Sequence, residues 1–371
     1  MATRLKYLLC LFVFLLTSMG VRTVMAQEIT VMTRNLYLGA ELAPVLTAQT
    51  PEEFLTAAQA ALAQVAANNF PERAWALAAE IVEKKPHLVG LQEVFNFTLN
   101  GSNGPLPFRD YIEDLMAALS AQGANYTIAA VVRDANLLVP LGEDLVVGVT
   151  DRDVILARSD VATSVVPLSG LCEKPSLDGC NYQIIASADS PVGEIGIERG
   201  FVAVDALVGN VPVRFVNTHL EERQPDPTNP LSPFIQAAQA FELLSILSGF
   251  PNPLGAPVMV VGDINSSPQD QTLIIGPYTI VPPYLQLAYA GYADAWTLRP
   301  GDPPGLTCCQ AADLLNPDSV LYERIDVTFS SEEPVGKVKV NVTGNDEADK
   351  TPSGLWPSDH AGVVTRLEFA R

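Results

Sequence analysis

Val258-Met259-Val260-Val261-Gly262-Asp263-Ile264-Asn265 is the stretch that decides how this chain is built. Four apolar residues run without a break into Gly-Asp. Asp263 and Asn265 flank a single residue, so on an extended segment both face the same side. A buried strand that stops abruptly on an acid needs a reason, because such a group is expensive to bury unless it is paired or bound to metal. The arrangement recurs. Thr33-Arg34-Asn35 follows Ile29–Met32, Gln92-Glu93 follows Leu88–Leu91, Asn217-Thr218-His219 follows Val213–Val216, and Ser358-Asp359-His360 precedes an apolar run at Val363–Phe369. Strand ends on a rigid sheet are where open α/β folds place their sites.

Further strands are expected at Glu28–Asn35, Leu88–Val94, Tyr126–Val132, Val154–Ala157, Phe201–Val208, Val213–Thr218, Val258–Gly262, Arg324–Ser330 and Val338–Val342. Gly209-Asn210 between two of them predicts a tight hairpin turn. Apolar residues at helical spacing predict helices over Pro51–Asn68, Pro71–Lys85, Phe108–Gln122 and Pro233–Leu247. Three of these carry Pro in the first turn, where its missing N–H removes no helix bond. Strands outnumber helices and several are hairpin neighbours. This predicts an α/β fold, a four-layer sandwich of two packed mixed β-sheets flanked by helices. No linker divides the chain after residue 26, and the Pro-rich pieces Gln224–Pro233 and Pro300–Pro304 read as loops.

The first 26 residues read as a signal peptide: Arg4 and Lys6, an apolar run from Leu8 to Leu16, then Val24-Met25-Ala26 as a cleavage site. The run is too short to span a bilayer, and no later stretch is long and apolar enough, so no transmembrane segment is expected. The mature chain, residues 27–371, is expected to be secreted or periplasmic. Its 19 Lys and Arg against 42 acids leave a formal charge of −23. That mean field repels a phosphate-rich polymer. A local cleft with bound cations overrides the mean, so a nuclease is not excluded.

Four cysteines remain beyond the signal: Cys172, Cys180, Cys308 and Cys309. An even number in an exported chain predicts disulfides. A pairing across the two Cys-bearing loops is preferred over Cys172–Cys180, because it closes the larger loop. A metal site is disfavoured: the cysteines lack paired C-x-x-C spacing and no histidine is near them in sequence.

Six strings occur in order: Asn35, Gln92-Glu93, Thr218-His219, Gly262-Asp263-Ile264-Asn265, Arg324-Ile325-Asp326 and Ser358-Asp359-His360. Together they resemble the motifs of the endonuclease/exonuclease/phosphatase superfamily. That group includes pancreatic deoxyribonuclease, abasic-site endonucleases, neutral sphingomyelinases and inositol-phosphate phosphatases. Each string alone is weak; six in family order, each beside a strand, are specific. The segment Asn35–Glu41 is similar to that of exported bacterial members.

The resemblance implies a metal-dependent hydrolase of phosphate esters using Mg²⁺ or Mn²⁺. Glu93 is the implied metal ligand, with Asp359 and Asn35 completing or orienting its shell; one or two carboxylates suffice for an ion that keeps several waters. His219, Asp263, Asp326 and His360 are the implied catalytic residues. Asp326 is expected to hold His360 in one tautomer, and Asp151 to do the same for His219. Asn217 and Asn265 are expected to bind phosphate. The general base is Asp263 or His360. Considered singly, each histidine reads as structural, and His87, away from every motif, is read so here. One departure stands out: abasic-site endonucleases carry an acid two residues after the first Asn, where this chain has Tyr37, and Glu41 is the nearest substitute.

Nucleic acid, a phospholipid head group and a small phosphorylated metabolite are the competing substrates. The acidic charge disfavours the first. The second is disfavoured because no run of exposed aromatics marks a membrane-inserting hairpin. The alternative of a different class is a catalytically retired exported binding module on the same scaffold. Intact motifs weigh against it.

Overall fold

The computed structural model describes residues 27–101, 104–142, 145–223, 231–301 and 303–369. The signal peptide expected over residues 1–26 lies outside them. Strands and helices are numbered along the chain. One sheet holds β1 (Gln27–Asn35), β2 (Leu88–Gln92), β3 (Asn96–Gly101), β4 (Gly104–Asp110), β5 (Tyr126–Pro140) and β6 (Val146–Arg158), with β19 (Lys339–Thr343) and β20 (Gly362–Phe369). The other holds β7 (Ala162–Val165), β8 (Lys174–Ser176), β9 (Gly179–Asn181), β12 (Gly200–Val208), β13 (Val211–His219), β14 (Val258–Asp263), β17 (Ala293–Asp294) and β18 (Asp326–Ser330). Two hairpins stand apart, β10 (Ala186–Ser190) with β11 (Gly193–Ile197) and β15 (Leu273–Ile275) with β16 (Tyr278–Ile280).

The first sheet runs β19-β20-β1-β2-β6-β3-β4, with β5 also on β6; the second runs β17-β18-β14-β13-β12-β9-β8, with β7 on β12. β1 pairs with β2 in parallel, as β13 does with β14, while β20, β6, β12 and β18 join them antiparallel. Both sheets are therefore mixed, as the strand pattern predicts. Their inner faces close on a core that includes Ile29, Val31, Ile155, Val202, Phe215 and Val261.

Helices cover the outer faces. On the first sheet lie α1 (Ala43–Leu46), α2 (Pro51–Ala67), α3 (Phe70–Lys84) and α4 (Tyr111–Ala121), whose apolar sides join Met32, Leu91 and Leu156 in a second core. On the other lie α5 (Leu231–Gly249) and α6 (Pro283–Tyr289), packed on Phe201, Val216 and Val260; short α7 (Ala295–Leu298) follows β17. Thr50 caps α2 by accepting from the Glu53 N–H, with Pro51 beside it. The helix expected from Phe108 starts at Tyr111 instead. Residues 104–110 pair with β3, and the Asp110 side chain accepts from the Ile112 N–H and caps α4. Among the described residues, no helix is long and apolar enough to cross a membrane.

The cross-loop cysteine pairing is not formed. The β8–β9 hairpin folds Cys180 back to Cys172, with Cα atoms 6.2 Å apart, and neighbouring Cys308 and Cys309 are joined to each other.

Two buried arginines anchor the strand ends. Arg73 of α3 donates to the carbonyls of Leu36, Tyr37, Asn68 and Pro357, so one guanidinium holds both the loop after β1 and the segment before Ser358. Arg34 on β1 pairs with Glu80 of α3 at 2.9 Å and donates to the carbonyl of His360. Both partners are almost wholly buried. Removing one strands the other charge, which costs about 3 to 5 kcal/mol. Glu80→Ala is therefore expected to lose stability of that order in urea unfolding. A loss below about 1 kcal/mol, the exposed-pair range, would show the pair to be inert.

Candidate active site

The strand ends meet at one edge of the sandwich, where the register brings distant residues together. Asn35 stands opposite Gln92, His219 opposite Asp263, and Asp263 opposite Asp326. Gly262 has φ 146°, and a Cβ there would run into the Thr218 carbonyl oxygen, so only glycine lets β14 approach β13 this closely. Glu93 and Asn265 have positive φ, 56° and 48°. A non-glycine residue held this way costs of order 1 kcal/mol and needs surrounding bonds to hold it. Glu93 has them: its carboxylate accepts from Asn35 Nδ2 at 3.0 Å and from the Leu38 N–H at 2.7 Å.

Asp263 is the centre of the cluster. It accepts from Asn35 Nδ2 at 3.2 Å and from the Asn265 N–H at 2.9 Å. The Nε2 atoms of His219 and His360 lie 3.5 and 3.7 Å from its Oδ2. Burial pushes this carboxyl up to about 7, with Asp326 and Glu93 adding to the effect and His360 opposing it.

The two histidines are in opposite states. Burial works against a charged His360, but Asp326, Asp359 and Asp263 outweigh it and hold the ring well above its usual range. Its Nδ1 meets Asp326 Oδ2 at 2.8 Å. His219 is held well below its usual range by burial, Arg199 and His360. Arg199 Nη1 lies 2.9 Å from His219 Nδ1. A guanidinium only donates, so Nδ1 accepts and the neutral ring carries its proton on Nε2, facing Asp263.

The structure thus gathers Asn35, Glu93, His219, Asp263, Asn265, Asp326, Asp359 and His360 into one cluster. Asn35 orients Glu93 and Asp263 with its amide hydrogens, while its Oδ1 accepts from the Tyr37 N–H. Burial pushes Asp359 up to about 6, with His360 opposing the shift and the Glu93 charge adding to it. Asn265 Nδ2 donates to the Leu220 carbonyl and lies 3.3 Å from His219 Nε2.

Two expectations need correction. Asn217 does not reach this cluster with a free donor. Its Nδ2 donates to the carbonyls of Leu91 and Val154, and its Oδ1 accepts from Gln92 at 2.6 Å. It ties the two sheets together, in space that the missing side chain of Gly90 leaves open. Asp151 does not touch His219 directly; Arg199 stands between them, 3.5 Å from Asp151 Oδ2. Glu41, the substitute considered for the missing acid, is exposed at the surface. His87 accepts the Thr30 N–H on Nδ1 and serves the backbone.

Sequence reasoning passed over Arg199 and Arg73, and gave Arg34, quoted within Thr33-Arg34-Asn35, no role. Arg199 sits just before a strand, in Glu198-Arg199-Gly200, where a charged residue reads as surface. It is instead a mostly buried cation, held charged by Glu221, Asp151 and Glu93 against its burial. Folding also brings a histidine to the cysteines: Cys309 Sγ lies 3.9 Å from His360 Nε2.

No curated protein matches the chain. Among solved structures, an endonuclease/exonuclease/phosphatase family protein from Leptotrichia buccalis is 16% identical with a TM-score of 0.52, covering 92% of this chain and 100% of its own. The mannosyl-6-phosphatase of Bacteroides thetaiotaomicron is 17% identical with a TM-score of 0.53, covering 91% and 99%. A protein from Beutenbergia cavernae titled endonuclease/exonuclease/phosphatase is 21% identical with a TM-score of 0.50, covering 92% and 72%. At such identities these likenesses speak to the fold alone. The family model described as Endonuclease/Exonuclease/phosphatase family matches residues 63–360. With that match spanning most of its length, the chain belongs to the endonuclease/exonuclease/phosphatase family.

Proposed function

We propose that this chain, a phosphoesterase-type hydrolase by its family, is exported and hydrolyses phosphate esters with Mg²⁺ or Mn²⁺, residues 27–371 forming one catalytic domain. One observation carries the reading: Asp263 lies between a neutral histidine and a charged one. The donor set beside it fits a hard divalent cation. The Glu93 charge acts on Asp359, and Asn35 fixes the Glu93 carboxylate, which gives two carboxylates and an amide as oxygen donors. Glu93 and Asp359 would hold such an ion, which would supply neutralisation of the charge that develops on the phosphate ester.

The rest is done by the chain. Asp263, raised to about 7, is matched to take a proton from the attacking water near neutral pH. When substrate binds, the His219 Nε2–H and the second amide hydrogen of Asn265, neighbours beside Asp263, donate to phosphoryl oxygens. The His360 imidazolium donates a further hydrogen bond to the developing charge. Asp326 holds that ring and stabilises its charge.

The acidic mean charge favours a small substrate over a polymer. The test is a screen of DNA, RNA, sphingomyelin, inositol phosphates, mannose 6-phosphate and bis-p-nitrophenyl phosphate. Turnover lost in EDTA and restored by Mg²⁺ or Mn²⁺ supports the reading; turnover unchanged by EDTA overturns it. Protein recovered from periplasm or medium is expected to begin at Gln27.

The pH profile follows from the base. A carboxyl raised to about 7 is protonated below that pH and cannot accept a proton. The rate is expected to fall about tenfold per pH unit below about 7. A rate flat from about pH 5 to 9 would exclude Asp263 as the base.

A further inference from the structure

Side chains alternate along a strand, so the inward face of β6 reads Ala157, Ile155, Asp153, Asp151. On β5 the same face reads Ala130, Val132, Asp134. The apolar members sit in the core between the sheets. The acids continue that face where core residues belong, and all three are buried. From the opposite sheet, Asn181 is paired with Gly200, so both face the same way. A Cβ on Gly200 would lie 2.6 Å from Asp134 Oδ1. The Asn181 side chain, 6% exposed, therefore projects toward Asp134, to whose carbonyl it donates at 3.1 Å.

The acceptors here have no donors. Both carboxyl oxygens of Asp134 and of Asp153, Oδ1 of Asp151 and Oδ1 of Asn181 are buried without a hydrogen-bond partner. The Asp134 and Asp153 carboxyls are within hydrogen-bonding reach of each other. The neighbouring cation, Arg199, reaches Asp151 Oδ2 and His219 with the same Nη1, and its buried Nε is itself without a partner. Protons shared between Asp134 and Asp153 would pair those two carboxyls with each other but leave Asn181 Oδ1 and Asp151 Oδ1 without donors. Carboxylates plus an amide carbonyl are an all-oxygen set, and Ca²⁺ takes about 6 to 8 such ligands in irregular geometry, waters included.

We propose that Asp134, Asp153 and Asn181 bind a structural divalent cation, Ca²⁺ by donor type, between the two sheets and one layer behind His219. This site is separate from the Glu93–Asp359 pair and stands whether or not the phosphoesterase mechanism is right. The ion's charge leaves Asp151 to Arg199, and so keeps Arg199 on His219.

The test is calorimetric titration of CaCl₂ into chelator-treated protein. The Glu93→Gln variant, crippled at the catalytic pair, is expected to keep one Ca²⁺ site. Asp134→Asn/Asp153→Asn in the same background is expected to lose it, and Asn181→Ala to weaken it about tenfold or more. No Ca²⁺ uptake by Glu93→Gln overturns the proposal, as does equal uptake by the double variant. So does a double variant that melts higher than the parent while the parent ignores Ca²⁺, because the carboxyls would then be holding protons. If the double variant does not fold, Asn181→Ala decides, and unchanged affinity there overturns the site.

Discussion

Asp263→Asn is expected to lower kcat by about 10²- to 10⁴-fold, the range that loss of a positioned base produces. The substitution conserves volume, and its remaining oxygen can still accept the Asn265 N–H. The lost charge is the one between the two histidines. His360 is held above its usual range partly by Asp263, so its titration is expected to move down in the variant. Two effects on stability oppose each other. The amide faces Asn35 Nδ2 with a second donor, while the desolvation of a buried carboxylate is relieved. The fold should survive, as circular dichroism and melting would show. A folded variant with kcat within about threefold of the parent, against a base worth about 10² or more, would remove Asp263 from the mechanism.

Arg199→Met is expected to act on both chemistry and stability. The guanidinium gives His219 its tautomer. Without it, Nδ1 can hold the proton and the Nε2 donor to phosphate is lost. Loss of one such donor lowers kcat by about 10²- to 10³-fold. Ring ¹⁵N shifts of His219 would report the tautomer directly, which a purely structural role would leave alone. The same cation neutralises Asp151, so its loss costs about 3 kcal/mol or more. The cost depends on pH. Burial raises Asp151 to about 7, although Arg199 pulls it down, and the variant carboxyl sits higher still. A raised carboxyl binds its proton more tightly folded than unfolded, so stability falls as pH rises through that window. At pH 5 both proteins hold Asp151 protonated and this difference is absent; above about 7 the variant's penalty grows by about 1.4 kcal/mol per pH unit until its own carboxyl titrates. Unfolding curves that differ equally at pH 5 and pH 8 would show that Arg199 does not balance Asp151.

Why the charged residues resist sequence reading is clear from Arg199 and Arg73. Each lies where local pattern predicts a surface charge, before a strand or on a helix with polar neighbours. Burial comes from carbonyls and carboxylates that arrive from far along the chain, and no local signal encodes them. Asn217 fails differently. It stands two residues before His219 on the same face, but the sheet opposite comes close enough at Gly90 to take all its hydrogen bonds. The disulfide expectation weighed loop entropy, whereas a three-residue hairpin decided the pairing.

Periodicity and composition alone determined the α/β sandwich, its main strands and helices, the Gly209–Asn210 hairpin, and the polar strings at the strand ends. These follow from side-chain alternation and apolar spacing, which act over a few residues. Only the tertiary structure decided which of those polar groups meet in one cluster, which histidine is charged, and which asparagine is spent holding the sheets together. Register and sheet packing set those distances, and burial with the neighbouring charges then sets each proton.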